Sequence, residues 1–379
     1  MSIEDYRNQI DELDAELLEL FQKRMAAAAE IGKLKKANNS QVLDRKRERE
    51  ILLNVFRKSH DNLGKYSVNL FSCLMELSRA YQREINRCDG GFHAEISEII
   101  KNTPAEFPKS ALVACMGREG TYAQIATDKL FNVANIVYFK NFAGVCQAVS
   151  DGLCEYGMLP IDNTTSGTVD AVYELLKHGN LHIVRSINLQ VASVLLAPEG
   201  VKLEDVREIF SHEQPFRQCS EFLKTLKDVK LTVSESTANA AAHVASCGRK
   251  DVAAIASRSC RDLCHLEILS SEIQNSDYNY TRFVCISRTP QIFRNPNKIS
   301  LMAVLNHQPG ALNMVLAKFA ALGLNLTKLE SRPIAGRKFE YMFYFDFEAS
   351  VFDPGIPELL DELKAETEKF IFLGNYQEI

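Results

Sequence analysis

The sequence has no apolar run approaching the roughly 18 residues that a membrane-spanning helix needs, so no segment reads as crossing a bilayer. Glycine and proline are scarce, 18 and 11 positions in 379 residues, which excludes collagen-like and low-complexity chains. A surplus of either charge is also missing. The 44 Lys and Arg against 49 Asp and Glu leave a formal net charge of -5, which gives no electrostatic reason to expect nucleic acid or an anionic membrane as partner. The start, Ile3-Glu4-Asp5, stays charged and is unlike a secretory signal. The ten cysteines show no paired metal-binding spacing: Cys260 and Cys264, followed by His265, have no second half elsewhere, so no zinc is expected. They sit singly in apolar runs, such as Cys115 and Cys285, and read as buried thiols of a reducing compartment, the cytoplasm. What is present is 46% apolar and 25% charged residues, over a length that allows two to four domains at roughly 100–200 residues each.

Three textures divide the chain. Residues 1–88 contain no proline, two glycines and helical periodicity throughout. Residues 109–290 alternate short apolar runs with helical stretches, the pattern of α/β construction. After Asn295-Pro296-Asn297 the order becomes strand, helix, strand, strand, helix, strand. A polar stretch ending in Thr103-Pro104 and Phe107-Pro108 reads as the linker between the first two.

In the first helix Ile3, Tyr6, Ile10, Leu13, Leu17 and Leu20 fall at 3-4-3-4 spacing and predict one buried seam. Arg24 takes the next seam position before Ala28, Ile31 and Leu34 resume it. A second helix is expected from Asp44, an N-cap residue, through Arg47, Glu48, Ile51, Leu52 and Val55, with Glu48 on the side of Leu52 and Val55. The third carries Phe71, Met75, Ser78, Gln82 and Ile85 at 4-3-4-3 spacing, which puts two polar residues in another seam. A single seam Arg is ordinarily a side chain that bends to the surface or meets a core carboxylate. Several polar groups on different helices are better explained by convergence on one another or on a polar ligand, because burial without partners is costly. Arg24 and Lys35 are 11 residues apart, about three turns and about 16 Å, and project from nearly one face. Arg7 lies 17 residues before Arg24, roughly 25 Å away, too far to share one small ligand within one straight helix, so a second chain would have to supply it.

The set Arg7, Arg24, Lys35, Asp44, Arg47, Glu48, Ser78 and Gln82 on three helices resembles the all-helical chorismate mutases. That resemblance implies an all-α three-helix domain over residues 1–90, an intertwined dimer whose sites borrow an arginine from the partner, and conversion of chorismate to prephenate without metal or cofactor. It further implies Lys35 and Gln82 as catalytic donors to the breaking ether oxygen, with Arg7, Arg24, Asp44, Arg47, Glu48 and Ser78 binding substrate.

In the middle segment, strands are expected at 111–116, 155–161, 191–197, 208–211, 252–256 and 282–287. Gly117-Arg118-Glu119-Gly120-Thr121-Tyr122 after the first strand is neither a dinucleotide fingerprint nor a P-loop, although a helix N-terminus there offers N–H groups to an anion. Two junctions, 160–167 and 211–219, are rich in hydroxyl and amide groups, which also make ordinary turns and caps. Together with Thr281-Arg282-Phe283 they resemble the prephenate dehydratases over residues 109–290. The resemblance implies an α/β fold of two lobes around a cleft, like periplasmic binding proteins, with Thr281 catalytic and Asn163, Ser211, Gln218 and Arg282 binding prephenate. On an alternating strand Arg282 points away from the face shared by Thr281 and Phe283, so its role as counter-ion requires that it face the cleft. His212 reads as a cap at a strand end. Glu213 and Asp162 depart from the Pro and Glu usual in that family, which bears on loop shape.

Phe339, Tyr341, Phe343, Phe345 and Phe347 alternate with polar and mixed residues, predicting a strand with one aromatic face to bury. With Lys298 to Asn306, a helix after Gly310 and a strand at 324–334, the order is βαββαβ, an α+β ferredoxin-like unit over 297–379. Gly310-Ala311-Leu312 and Glu330-Ser331-Arg332-Pro333 resemble the ACT regulatory domain of prephenate dehydratases, which implies an allosteric phenylalanine site at those residues. From end to end the chain resembles the bifunctional chorismate mutase/prephenate dehydratases, feedback-regulated enzymes of phenylalanine biosynthesis. A solute-binding protein on the same two-lobed fold would not need Thr281, and a purely dimerising helical module would not need the polar set.

Overall fold

In a computed structural model, the described residues are 2–38, 44–60, 62–85, 91–178, 180–307, 310–334, 336–337 and 340–379. They divide into two compact units: Met1–Glu95 with Gln308–Lys318 and Pro357–Glu366, and the remainder.

The first unit is helical. α1 (Ile3–Ala37) starts at a capping box in which Ser2 and Asp5 satisfy each other's backbone N–H groups. α2 (Arg45–Lys58) starts where the Asp44 carboxylate accepts the Arg47 N–H at 3.0 Å, and α3 is Gly64–Ile85. Ala28, Ala29, Met75, Ser78 and Gln82 are buried, which places the close packing in the second half of α1 and the second half of α3. The expected burial of the first half of α1 is corrected: Ile3, Tyr6, Ile10, Leu13, Leu17 and Leu20 are 51–74% exposed. Their spacing does put them on one face, and nothing among the described residues covers it. A fourth helix, α4 (Phe92–Asn102), occupies the stretch read as a linker; Asp361 caps it by accepting the N–H groups of Phe92 (2.7 Å) and His93 (3.3 Å).

The second unit contains two sheets. In chain order its elements are β1 (Ser110–Met116), α5 (Tyr122–Leu130), β2 (Val133–Phe139), α6 (Phe142–Ser150), β3 (Tyr156–Asn163), β4 (Gly167–Thr168), α7 (Asp170–His178) and β5 (His182–Gln190). Then follow β6 (Val194–Ala197), β7 (Glu208–Ser211), α8 (Glu213–Gln218), α9 (Ser220–Thr225), β8 (Lys230–Val233), α10 (Thr237–Ser246), β9 (Val252–Ala256), α11 (Ser259–Cys264), β10 (Glu267–Ser270) and β11 (Tyr280–Ser287). The C-terminal strands β12 (Lys298–Val304), β13 (Leu326–Pro333), β14 (Tyr341–Glu348) and β15 (Lys369–Glu378) complete it, whereas most of the helices between them, α12 (Ala311–Ala321) and α13 (Ile356–Glu366), belongs to the first unit.

One sheet runs β10-β6-β9-β7-β8, and the other β13-β14-β12-β15-β5-β11-β3-β1-β2 with β4 on β3. The chain crosses between them twice, from β5 to β6 and back from β10 to β11, so two α/β lobes share a pair of connecting segments. β12 to β15 pair antiparallel in the order β13-β14-β12-β15, and β15 continues the sheet through a parallel pairing of Gln377 and Glu378 with Arg185 and Ser186 of β5. This junction overturns the expectation of a single buried face on β14. Met342, Tyr344 and Asp346 are buried as well as Phe345 and Phe347, because the Tyr173 ring from α7 meets Tyr344 edge-on at 4.7 Å. Phe339 lies outside the described residues. Burial pushes the thiols of Cys115 and Cys146 up to about 12 and about 11, so they stay protonated and inert at neutral pH.

Candidate active sites

In the helical unit, Arg24 turns inward from α1 and donates to the Leu74 carbonyl at 2.9 Å and to the Ser78 hydroxyl. The Ser78 hydroxyl in turn donates to the same carbonyl at 2.7 Å. Burial lowers the Arg24 pKa, yet a guanidinium remains charged at any working pH. One turn beyond Ser78, Gln82 is 7% exposed and its Oε1 is buried with no partner among the described residues. An orphaned amide oxygen is what a polar ligand would satisfy. Glu48 reaches from α2 to Arg79 of α3, and Arg79 also holds Glu76. Lys35 stands half-buried in the last turn of α1. Arg24 and Ser78 thus meet, with Gln82 one turn further along α3 and Glu48 held by Arg79, the residue after Ser78, whereas Arg47 is exposed beside Glu50 (3.6 Å) and Asp44 serves as the α2 cap. Arg7 is exposed beside Glu4 at 3.6 Å, near the far end of the same unbroken helix from Lys35. Sequence reading missed Arg79 and Glu76, because an i, i+3 Glu–Arg pair looks like any helix-surface pair.

In the two-lobed unit, β11 runs antiparallel to β3 with Thr281 opposite Asn163. The Asn163 Oδ1 accepts the backbone N–H groups of Thr165 (3.0 Å) and Ser166 (2.8 Å), which can only donate; its Nδ2 is therefore the end that faces the Thr281 Oγ1 (2.9 Å) and the Asn279 Oδ1 (2.8 Å). Asn279 in turn donates to the Gln218 Oε1 at 3.1 Å, and Gln214 donates to the Ser166 hydroxyl at 2.9 Å, so α8 of one lobe meets the β3 and β11 ends of the other. Beside these contacts lies a cleft of about 510 Å³ lined by Ser166, His212, Gln214, Arg217, Gln218 and Asn279 among others. His212 caps α8, its Nδ1 accepting the Gln214 N–H at 3.3 Å, and also lines the cleft.

Thr281 is 8% exposed and is linked to the cleft wall through Asn163 and Asn279. Ser211 is fully buried, and its hydroxyl donates to the Ile255 carbonyl at 2.8 Å, so the sequence expectation that it binds ligand gives way to a structural bond inside the sheet. Arg282 also departs from its expected role. Its guanidinium lies on the opposite face of β11, paired with Asp162 (2.7 Å), Asp346 (2.5 Å) and Glu378 (3.7 Å). Asp162, which departs from the family's usual residue, belongs to this ion cluster. Burial would raise its carboxyl, but Arg282 and Lys328 hold it below the usual range. Asn279 escaped sequence reading although it lies two residues before Thr281.

Of the presumptive regulatory residues, Gly310 is exposed with φ +81°, a left-handed conformation at the start of α12 that favours glycine, while Ala311 and Leu312 are half-buried. On β13, Glu330 accepts from the Thr168 hydroxyl at 2.5 Å and Arg332 pairs with Asp170, while Ser331 and Pro333 alternate to the exposed face.

Residues 6–83 match the family described as chorismate mutase type II, and residues 113–291 the family described as prephenate dehydratase. The chain is 32% identical over 382 residues to the bifunctional chorismate mutase/prephenate dehydratase of Escherichia coli (strain K12), covering 98% of this chain and 95% of the relative. Among solved structures, prephenate dehydratase in complex with L-Phe from Arthrobacter aurescens aligns with a TM-score of 0.64 at 26% identity, over 70% of this chain and 89% of that one. A protein described as GqqA, a novel type of quorum quenching acylases, aligns with a TM-score of 0.64 at 32% identity, over 71% of this chain and 98% of that one. With both families matched in order and the similarity to a relative running nearly end to end, the chain belongs to the bifunctional chorismate mutase/prephenate dehydratase family.

Proposed function

We propose that the helical site rearranges chorismate to prephenate and that the cleft of the two-lobed unit converts prephenate to phenylpyruvate. For the first reaction, the supporting observation is the Arg24–Ser78 contact, with the orphaned Gln82 amide one turn along α3 and Glu48 held by Arg79. The rearrangement is intramolecular and needs no nucleophile. Arg24, with Arg7 from a second copy, clamps the two substrate carboxylates so that the side chain lies over the ring. Lys35 and the Gln82 Nε2 donate to the ether oxygen as it gains negative charge, Glu48 accepts from the ring hydroxyl, and the orphaned Gln82 Oε1, an acceptor, is left for a donor group and not for the ether oxygen. The exposed stripe of α1 supports a dimer, because an uncovered row of leucines at coiled-coil spacing is favourable only against another such surface.

For the second reaction, the observation that carries the reading is the chain Thr281–Asn163–Asn279–Gln218 at the cleft. As the bond to the ring carboxylate breaks, its electron pair enters the ring and the hydroxyl leaves with a proton as water, so carbon dioxide and an aromatic product form together. The Asn163 amide donates into the Thr281 oxygen, so the Thr281 hydroxyl hydrogen is directed elsewhere, to the departing hydroxyl. Substrate entry exchanges the Asn279–Gln218 bond for bonds to prephenate, which opens Thr281 to it. Arg282 is left out of the substrate contacts because three carboxylates already hold it.

The functional modules span 1–90, 109–290 and 297–379. The last is an ACT domain that binds phenylalanine through Gly310, Ala311, Leu312 and the 330–333 strand and lowers dehydratase turnover. Free thiols, six of them buried but Cys73 exposed, fit a cytoplasmic enzyme. A coupled assay from chorismate to phenylpyruvate tests the whole reading: Arg24→Ala blocks prephenate formation, and Thr281→Ala lets prephenate accumulate. Phenylpyruvate formation at the normal rate by either variant would overturn the corresponding site.

A further inference from the structure

The helical unit holds a series of ion pairs that the rearrangement does not use. Arg79 grips the Glu48 Oε1 with one terminal nitrogen and the Glu76 Oε2 with the other. The second oxygen of Glu76 stands 3.0 Å from the Lys318 Nζ of α12, an ion pair by distance although Oε1 makes no hydrogen bond of good geometry among the described residues. Lys318 also pairs with Glu362 and, at 3.3 Å, with Glu366 of α13, and its side chain is only 6% exposed. Burial opposes the charge on Glu76, but Lys318 and Arg79 together keep it ionised. A guanidinium shared between two carboxylates through separate nitrogens fixes both in direction, which a lysine in its place cannot do as well.

Glu48 is a member of the mutase set whose direction is set by such a partner. It sits on α2 with its side chain 26% exposed, and Arg79 engages Oε1, so Oε2 is presented for the substrate hydroxyl. Lys318 and Arg79 take one oxygen each of the same Glu76. Without Lys318, the Glu76 charge would fall to Arg79 alone and draw it away from Glu48. Lys318 is six residues beyond Leu312, about 9 Å along α12, on the helix that begins at the Gly310 motif.

We propose that Arg79 is a positioning residue of the mutase site and that Lys318, acting through Glu76, sets its hold on Glu48. Mutase turnover then depends on a side chain of the C-terminal segment. The inference rests on the mutase reading above, and the experiment separates the two.

The full chain is assayed for prephenate formation from chorismate, with dehydration of supplied prephenate as a control for folding. Arg79→Met lowers mutase kcat/KM by about tenfold or more, the loss expected of a displaced contact group, and Arg79→Lys recovers part of it. Lys318→Met lowers mutase kcat/KM by ~3-fold with dehydration unchanged, and adds nothing in the Arg79→Met background. The proposal is overturned if Arg79→Met stays within about twofold of the parent, or if the two effects multiply as independent sites do. Should Arg79→Met fail to fold, Glu76→Gln serves instead: with it in place Lys318→Met must have no further effect, and any remaining effect overturns the relay. Normal mutase activity in Arg24→Ala would instead sink the mutase reading itself.

Discussion

Thr281 and Arg282 are consecutive residues of β11 that serve opposite faces of one sheet: the Thr281 hydroxyl accepts from Asn163, and the Arg282 guanidinium pairs with Asp162 and Asp346. Asp162 is likewise the chain neighbour of Asn163, so the pair on the cleft side is backed by an ion pair behind it. β14 and β15 contribute Asp346 and Glu378 to that backing, and β13 contributes Lys328. The Thr281–Asn163 pair and the C-terminal strands are therefore joined through the pleat of two strands.

Replacing the Thr281 hydroxyl tests its role without changing the size of the side chain. Thr281→Val is expected to lower dehydratase kcat by about 100-fold or more, the range for loss of a positioned proton donor, while Thr281→Ser retains most of it. Mutase kinetics on chorismate should stay at the parent value in both. A Thr281→Val enzyme that dehydrates prephenate normally would remove Thr281 from the chemistry.

Arg282 carries a different expectation. Arg282→Leu leaves Asp162, Asp346 and Glu378 facing one another without their shared cation, a loss of about 3–5 kcal/mol by analogy with other broken buried pairs. Denaturant unfolding of the two-lobed unit would read this as an earlier midpoint. Residual dehydratase activity in the folded fraction should remain if Arg282, held by three carboxylates, serves the ion cluster and not the substrate.

The acid limb of stability follows from the same cluster. Burial works to raise the carboxyls of Asp162 and Glu378, but Arg282, Lys328 and Lys298 hold both below their unfolded values. A group lowered on folding contributes stability that is complete above its unfolded pKa and is lost as pH falls through the folded one. Unfolding on acidification should thus begin below about pH 4 and complete at lower pH. In Arg282→Leu the folded values rise, so the acid transition moves upward; an unchanged transition would show that the cluster stores no pH-dependent stability.

The parts of this fold and site that were legible in the sequence are those set by local pattern. β7 and β9 begin and end where the apolar runs at 208–211 and 252–256 do, and Asp44 caps α2 as its position suggests. β5 was missed because His182, Arg185 and Asn188 interrupt its apolar residues; Arg185 lies over the Phe107 ring and donates to Gln377, pairings that no spacing reveals. The same limit hid Lys318, 242 residues from Glu76 in sequence and 3.0 Å away in space. Periodicity told which residues of α1 share a face, but not what covers it. For Arg282 alternation pointed the side chain away from the face of Thr281, against the binding role that the family resemblance implied, and the ion cluster agrees with the alternation.

The neutral donor at Gln82 has a consequence for pH. An amide does not ionise in the working range, so mutase activity should persist into mildly alkaline solution. Gln82→Glu replaces it with a group that donates only when protonated, so activity should fall as pH rises through the pKa of the introduced carboxyl. Parent activity that fell steeply with an apparent carboxylic pKa would reassign the donor.

Arg7 and Arg24 lie on one continuous helix, 17 residues and roughly 25 Å apart, so one small substrate cannot touch both in the same chain. If each site pairs Arg24 of one copy with Arg7 of the other, then Arg7→Ala and Arg24→Ala are each inactive as mutases when pure. Mixed and allowed to exchange, they form hybrid dimers in which one site receives both lesions and the other neither. Random pairing makes half the dimers hybrid, so mutase activity should recover to about a quarter of the parent value. Leu13→Lys on the exposed stripe, introduced into both, should abolish the recovery by preventing association while dehydration of prephenate continues. No recovery on mixing without that change, under conditions where subunit exchange is shown directly, would place Arg7 and Arg24 in separate roles.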